Sequence, residues 1–313
     1  MAVNDIITEN EYNTIRNKVI SVLGTGVSNT GYGQTVLSPS VVEGDRITIN
    51  EWGALKYDII NAYTHQNGSP PTLPPVIEGG KIRYNLSDAP VTYWDQIADS
   101  LVADRLSVPP LSQQTSTNHG SSTYNGTWGV GANADELVCY VSVTWSSADA
   151  ARFFFNTGSY VSFSASRTGG STHNQNTSWT NLLNAAGTQG FGGAFPAGGT
   201  SPADGQNFFR NTDNPISPWY STNSTTPYGD NQYRIYSSTP GIAINSDGEA
   251  ATIVFKVSFY DGHYAVGAGP DTVDGTFTVS CQTVEAFGTL QPPGTGWFTV
   301  ETPQVTFLSF TTE

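Results

Sequence analysis

From Glu136 onward the apolar residues of this chain recur at every second position, and that period limits the fold more than any other feature. In ELVCYVSVTW (136–145), Leu137, Cys139, Val141, Val143 and Trp145 alternate with more polar partners. Val161, Phe163 and Ala165 repeat the pattern in SYVSFSAS, as do Ile253, Phe255, Val257 and Phe259 in ATIVFKVSFYD. Phe277, Val279 and Cys281 carry it through GTFTVSCQ, and QVTFLSFTTE closes the chain. A period of two sends alternate side chains to opposite faces of a strand. One apolar face and one Ser/Thr face per strand predicts a mainly β fold, an antiparallel β-sandwich of jelly-roll-like type.

The first hundred residues follow a different period. ITENEYNTIRNKV (7–19) and ITINEWGALKYDI (47–59) match in type and order at a shift of 40 residues, Thr8 answering Thr48. Thr8 with Glu11, and Thr48 with Glu51, fit the capping box in which hydroxyl and carboxylate satisfy each other's free backbone N–H groups. Tyr12, Ile15, Val19 and Val22 then fall at helical spacing, with Gly24 offering a left-handed stop. Trp52, Leu55, Ile59 and Tyr63 make the matching stripe. A third helix is predicted over 92–106, with Trp94, Ile97, Leu101 and Leu106 on one face. Neither repeat buries its stripe alone, so the helices pack on each other or on a partner.

The domain reading is a helical attachment module over 1–106, a linker over 107–129, and the sandwich over 130–313. The linker lacks apolar periodicity. Within the sandwich, 187–232 is too long for a hairpin loop, and its aromatics suit an ordered excursion. Charged residues make up 12% of the 313, against about 25% in ordinary soluble domains, and the net charge is −14 with a pI near 4.5. Twelve thinly spread Lys and Arg offer no basic face for nucleic acid. No apolar run approaches the roughly 18–20 residues that cross a bilayer, and MAVNDIITENEY carries no basic-then-apolar leader, which sets the expectation of no conventional secretion. Cys139 and Cys281 read as buried free thiols of a reducing compartment rather than a disulfide.

Chemistry-bearing motifs are scarce. GxSxG, HExxH, a Walker loop and CxxC are absent, and His65, His119, His173 and His263 are dispersed. His65 ends the second helix, where a positive charge would suit the dipole; His119 falls in the linker. Asp261, His263, Asp271 and Asp274 form the one acidic cluster. Its readings are turn chemistry, since Asp261-Gly262 and Asp274-Gly275 are turn pairs, a Ca²⁺ site, or paired carboxylates for glycoside cleavage. The turn reading leads, so no catalytic residue, metal or cofactor is expected. In ARFFFNTGSYVSFSASRTGG (151–170), Phe153–Phe155 read as a buried strand end followed by a turn. Arg152 and Arg167 either pair internally with carboxylates and carbonyls or face an acidic neighbour.

The paired repeats, GYGQ (31–34), ARFFFNTG (151–158), YRIY (233–236) and the FYDGH turn together resemble virion structural proteins of tailed phages, particularly those of cyanophages and their marine relatives. GYGQ and ARFFFNTG are the more specific of these motifs. The resemblance implies a non-enzymatic virion component of tail, neck, fibre or head surface, made in a host cytoplasm, homo-oligomeric and in contact with other virion proteins. It supplies no catalytic residues. On that reading Tyr12, Ile15, Val19, Trp52, Leu55, Ile59 and Trp94 are the candidate assembly interface. A second reading, a tail-fibre or decoration-type adhesin for host-surface polysaccharide, rests on Trp219, Tyr220 and Tyr228, whose rings and flanking Asn and Ser suit sugars. No nucleic-acid or membrane partner is expected.

Overall fold

The computed structural model describes residues 8–73, 76, 94–129, 135–192, 216–222, 227–239, 249–263, 272–289 and 297–313. Two compact units divide the chain: one comprises 1–115, 152–159 and 285–300, the other 116–151, 160–284 and 301–313.

The first unit is built on three helices, α1 (Glu9–Leu23), α2 (Ile49–Asn67) and α3 (Trp94–Ala103). Both expected capping boxes are present, Thr8 with Glu11 and Thr48 with Glu51. α1 does stop at Gly24, but through an extended residue (φ −67°, ψ −163°); the left-handed cap belongs to Gly68 after α2 (φ 77°). The two repeats then pack through equivalent residues. The Tyr12 and Trp52 rings meet edge to face at 5.3 Å, and Trp52 meets Trp94 at 5.5 Å, so one aromatic row joins all three helices. The Tyr12 hydroxyl donates toward the Pro39 and Glu51 carbonyls (3.1 and 3.2 Å). Lys18 joins α1 to α3 through Asp95 (2.7 Å) and Asp99 (2.6 Å). Buried Asp58 on α2 accepts from Leu37 N, Ser38 N and Ser38 Oγ, pinning the connection between α1 and α2.

In the second unit the expected antiparallel, sandwich-like arrangement is present. One sheet has the order β1 (Gln114–Asn125), β8 (Thr276–Thr289), β3 (Tyr160–Thr168), β4 (Thr188–Gly192); β9 (Trp297–Thr299) pairs with residues 287–289 of β8, the part of that strand that belongs to the first unit. The other has the order β10 (Gln304–Phe307), β2 (Asp135–Thr144), β7 (Thr252–Asp261), β6 (Gln232–Ser238), β5 (Ile216–Thr222), with β11 (Thr311–Thr312) also on β2. β2 and β7 stay in register from Asp135↔Asp261 to Thr144↔Thr252. The alternating apolar residues fill the space between the sheets: Phe163 of β3 lies 4.9 Å from Phe255 of β7, and Phe277 of β8 lies 5.0 Å from Phe259.

Three expectations are corrected. Residues 114–125, read as linker, form β1, a strand whose polar side chains hide the period that marks the others. ARFFFN, read as a strand end, is the second half of helix α4 (Ala148–Asn156), begun where Ser147 Oγ accepts from Ala150 N. Helix α5 (Asn174–Ala186) was not expected at all; Asn, Ser and Thr are poor helix formers, yet Trp179, Leu182 and Leu183 bury one face of it. The unit boundary falls inside α4 and inside β8, so the helical unit includes 152–159 and 285–300 besides the N-terminal segment.

Trp52 sits at the centre of the aromatic row at 2% exposure. Trp52→Ala should destabilise the helical unit by roughly 3–5 kcal/mol, read as a lowered urea midpoint by circular dichroism; a change below about 1 kcal/mol would mean the row is not its core.

Candidate functional site

The two motifs that carry the resemblance come together within the helical unit. GYGQ follows α1 on a loop where Gly26, Ser28, Gly31 and Gly33 all adopt positive φ. That backbone turns several carbonyls inward, and α4 meets them. Asn156 Nδ2 donates to the carbonyls of Ser28 (3.1 Å), Thr30 (3.0 Å) and Gly31 (3.2 Å), and Arg152 Nη2 donates to Thr25 O (3.0 Å). Phe153 lies against Gly33 so closely that a Cβ there would fall 2.3 Å from its ring, at a φ of 70° that already favours glycine. Tyr32, between the two glycines, accepts from Gln66 Nε2 on α2 (2.9 Å) and donates to Arg105 O beyond α3 (2.7 Å). GYGQ and ARFFFNTG therefore form one joint that ties the loop to α2, α4 and the segment after α3.

The seven residues proposed as an assembly interface, Tyr12, Ile15, Val19, Trp52, Leu55, Ile59 and Trp94, are all 0–2% exposed within this single chain. They share one core with Val22, Leu23 and Ala98. That burial corrects their role: they build the module and offer no surface to a neighbour. His65 is also buried, and its Nε2 lies 2.9 Å from Thr157 O, in position to donate. Burial pushes its pKa down to about 4, so at neutral pH it brings no positive charge to the end of α2, contrary to the dipole reading.

The acidic cluster resolves into separate structural bonds. Asp261 is 2% exposed and accepts from Gln175 Nε2 (2.6 Å) and His263 N (3.2 Å). Asp274 accepts from Ser171 N and Oγ and from Asn176 Nδ2, while its own N–H donates to Asn176 Oδ1 (3.1 Å). Desolvation raises the Asp274 pKa, but the Ser171 and Asn176 bonds and the Arg167 charge outweigh it and leave it below the carboxylate range. Two adjacent amides at the start of α5, Gln175 and Asn176, thus hold the two aspartates. Arg167 donates to Asp274 O (2.7 Å) and to Asn176 O (3.3 Å). Arg152 and Arg167, at 3% and 7% exposure, both follow the internal reading rather than facing a neighbour. Among the described residues no three His, Cys, Asp or Glu side chains group to hold a metal. Asp271 lies outside the described residues.

Of the sugar-binding candidates, the side chains of Trp219 and Tyr220 lie outside the described residues. Tyr228 is half-buried and packs edge to face on His263 at 4.9 Å. A hollow of about 170 Å³ on the β1-β8-β3-β4 sheet is lined by Asn118, Ser162, Ser164, Thr188, Ser280 and Gln282. It is smaller than the roughly 300 Å³ at which ligand pockets begin. Cys281, which also lines it, is 1% exposed, with burial pushing the thiol up to about 12, and Cys139 is likewise a free buried thiol. The signals for α5 were present, Trp179 following Asn176 at three residues and preceding Leu182 and Leu183 at three and four, but lay among residues that favour loops.

No family model, no curated protein and no solved structure matches the chain.

The His65 geometry generates a pH test. The unfolded chain takes up a proton near 6.5, whereas the folded unit holds the ring neutral to about 4. This contribution is therefore full above about 6.5 and is lost as the pH falls through that window, by about 3 kcal/mol in all. Asp58, whose pKa burial raises, acts in the opposite direction. The readout is thus the difference between wild type and His65→Gln in urea unfolding across this range; parallel profiles would refute the assignment.

Proposed function

We propose that this chain is a non-enzymatic structural component of a tailed-phage virion, assembling with itself and with neighbouring virion proteins. The observation that carries the structural part is the joint: the most specific motifs of the resemblance meet each other, with glycines, an amide and a phenyl ring fitted for packing. They bring no nucleophile, acid or base to a cleft. The virion part comes from the resemblance. An acidic chain of net charge −14 also suits a particle component that does not adhere to the packaged genome. Host-surface glycan binding is the rival reading, supported by the Tyr228–His263 pair.

Peptide mass spectrometry of purified particles of the phage carrying this gene should find the chain at a fixed stoichiometry to the major structural proteins. Its presence in the lysate but not in particles would overturn the virion reading. Gly33→Ala, which places a methyl group against Phe153 and in a strained backbone, should cost roughly 1–3 kcal/mol and lower incorporation. Retention of host polysaccharide by the purified chain, lost in Tyr228→Ala, would favour the adhesin.

A further inference from the structure

β1 is an unusual strand. It runs for 12 residues at the end of its sheet, with β8 on one side and no described strand on the other. None of its side chains is buried. A strand of that length spans about 40 Å, and ordering it costs backbone entropy that core burial elsewhere offsets. Edge strands also template pairing with another chain, and proteins ordinarily block them with Lys, Pro or inward charges. QTSTNHGSSTYN contains no Lys, Pro, Arg or carboxylate.

One interruption divides the strand. Gly120 has φ 91°, and its N–H turns back to Asn118 Oδ1 (2.8 Å). The half-buried positions change phase there, from Thr117 and His119 to Ser122 and Tyr124. Tyr124 packs on Phe310 at 5.9 Å. Residues 121–125 thus form a terminal segment of regular alternation, with Ser122 and Tyr124 half-buried and Ser121, Thr123 and Asn125 exposed.

We propose that this segment is where a second copy of the chain adds, strand against strand, across a two-fold axis. Charge selects the occupant. Residues 107–134 contain no Asp, Glu, Lys or Arg in a chain of net charge −14. Two copies of an acidic protein meet with least repulsion on an uncharged surface, whereas that surface attracts neither nucleic acid nor a basic partner. The sequence is also self-complementary. Antiparallel pairing centred on Thr123 sets Thr123 against its equivalent and Ser121 against Asn125, the small hydroxyl and amide pairs that antiparallel strands use. The inference rests on the self-association proposed above and names its surface. Its test needs no particle, so it and the virion reading can fail separately.

Sedimentation velocity of the full chain over a concentration series should show a reversible monomer–dimer equilibrium. Thr123→Lys, which sets two ammonium groups face to face, should weaken it by about tenfold or more. Ser166→Lys, an exposed position on the central strand β3, should leave it unchanged. Amide exchange in wild type, which needs no variant, should slow over 121–125 at high concentration. A monomer at every concentration, equal weakening by both substitutions, or concentration-independent exchange at 121–125 would each overturn the proposal.

Discussion

The helical unit depends on one side-chain amide. An amide nitrogen has two hydrogens, and Asn156 directs its own toward three carbonyls of the loop after α1. Each such bond contributes about 0.5–1.5 kcal/mol net, but the position matters more than the sum. The same loop carries Tyr32, through which α2 and the segment after α3 are reached, and Gly33, on which Phe153 rests. Removing the amide would take one donor from three inward-turned carbonyls at once, and a buried acceptor that loses its donor costs more than the bond itself contributed.

The same device recurs. With few cations available, the chain satisfies buried groups with neutral amides and hydroxyls. Asn13 pairs with both backbone groups of Val41, Gln66 bridges Tyr32 and Leu101 O, and Gln175 and Asn176 hold Asp261 and Asp274. An amide offers donor and acceptor together, as a peptide group does, and needs no desolvated counter-charge. Ion pairs such as Lys256 with Glu136 and Glu313 lie at partly exposed positions.

What could be read beforehand followed from local rules. Capping boxes and helical stripes located α1 and α2 to within two residues, because Thr8, Glu11, Thr48 and Glu51 act on backbone within one turn. Alternation located β2, β3, β7 and β8, because both faces of those strands have distinct surroundings. β1 escaped because neither of its faces is buried, and α5 because Trp179, Leu182 and Leu183 are set among Asn, Ser and Thr. Three phenylalanines in a row suit a buried strand as well as a helix, and only the Ser147 cap before them discriminated. The joint itself was legible as two motifs but not as one contact, since Gly31 and Asn156 lie 125 residues apart in sequence.

That separation has a consequence for how the protein is made. The chain passes between its units at 115/116, 151/152, 159/160, 284/285 and 300/301. α1, α2 and α3 are made before 152–159, which come near the middle of the 313 residues, and before 285–300, which come near their end, although both segments belong with these helices. Contacts between such distant segments form slowly, so the loop after α1 lacks its Asn156 donor, and the core of α1, α2 and α3 lacks Ala286, until those segments are made. No contiguous stretch of the gene encodes either unit, and neither can be exchanged by simple recombination for a homologous domain. The segments of the helical unit are bound to be inherited together with the β segments that lie between them.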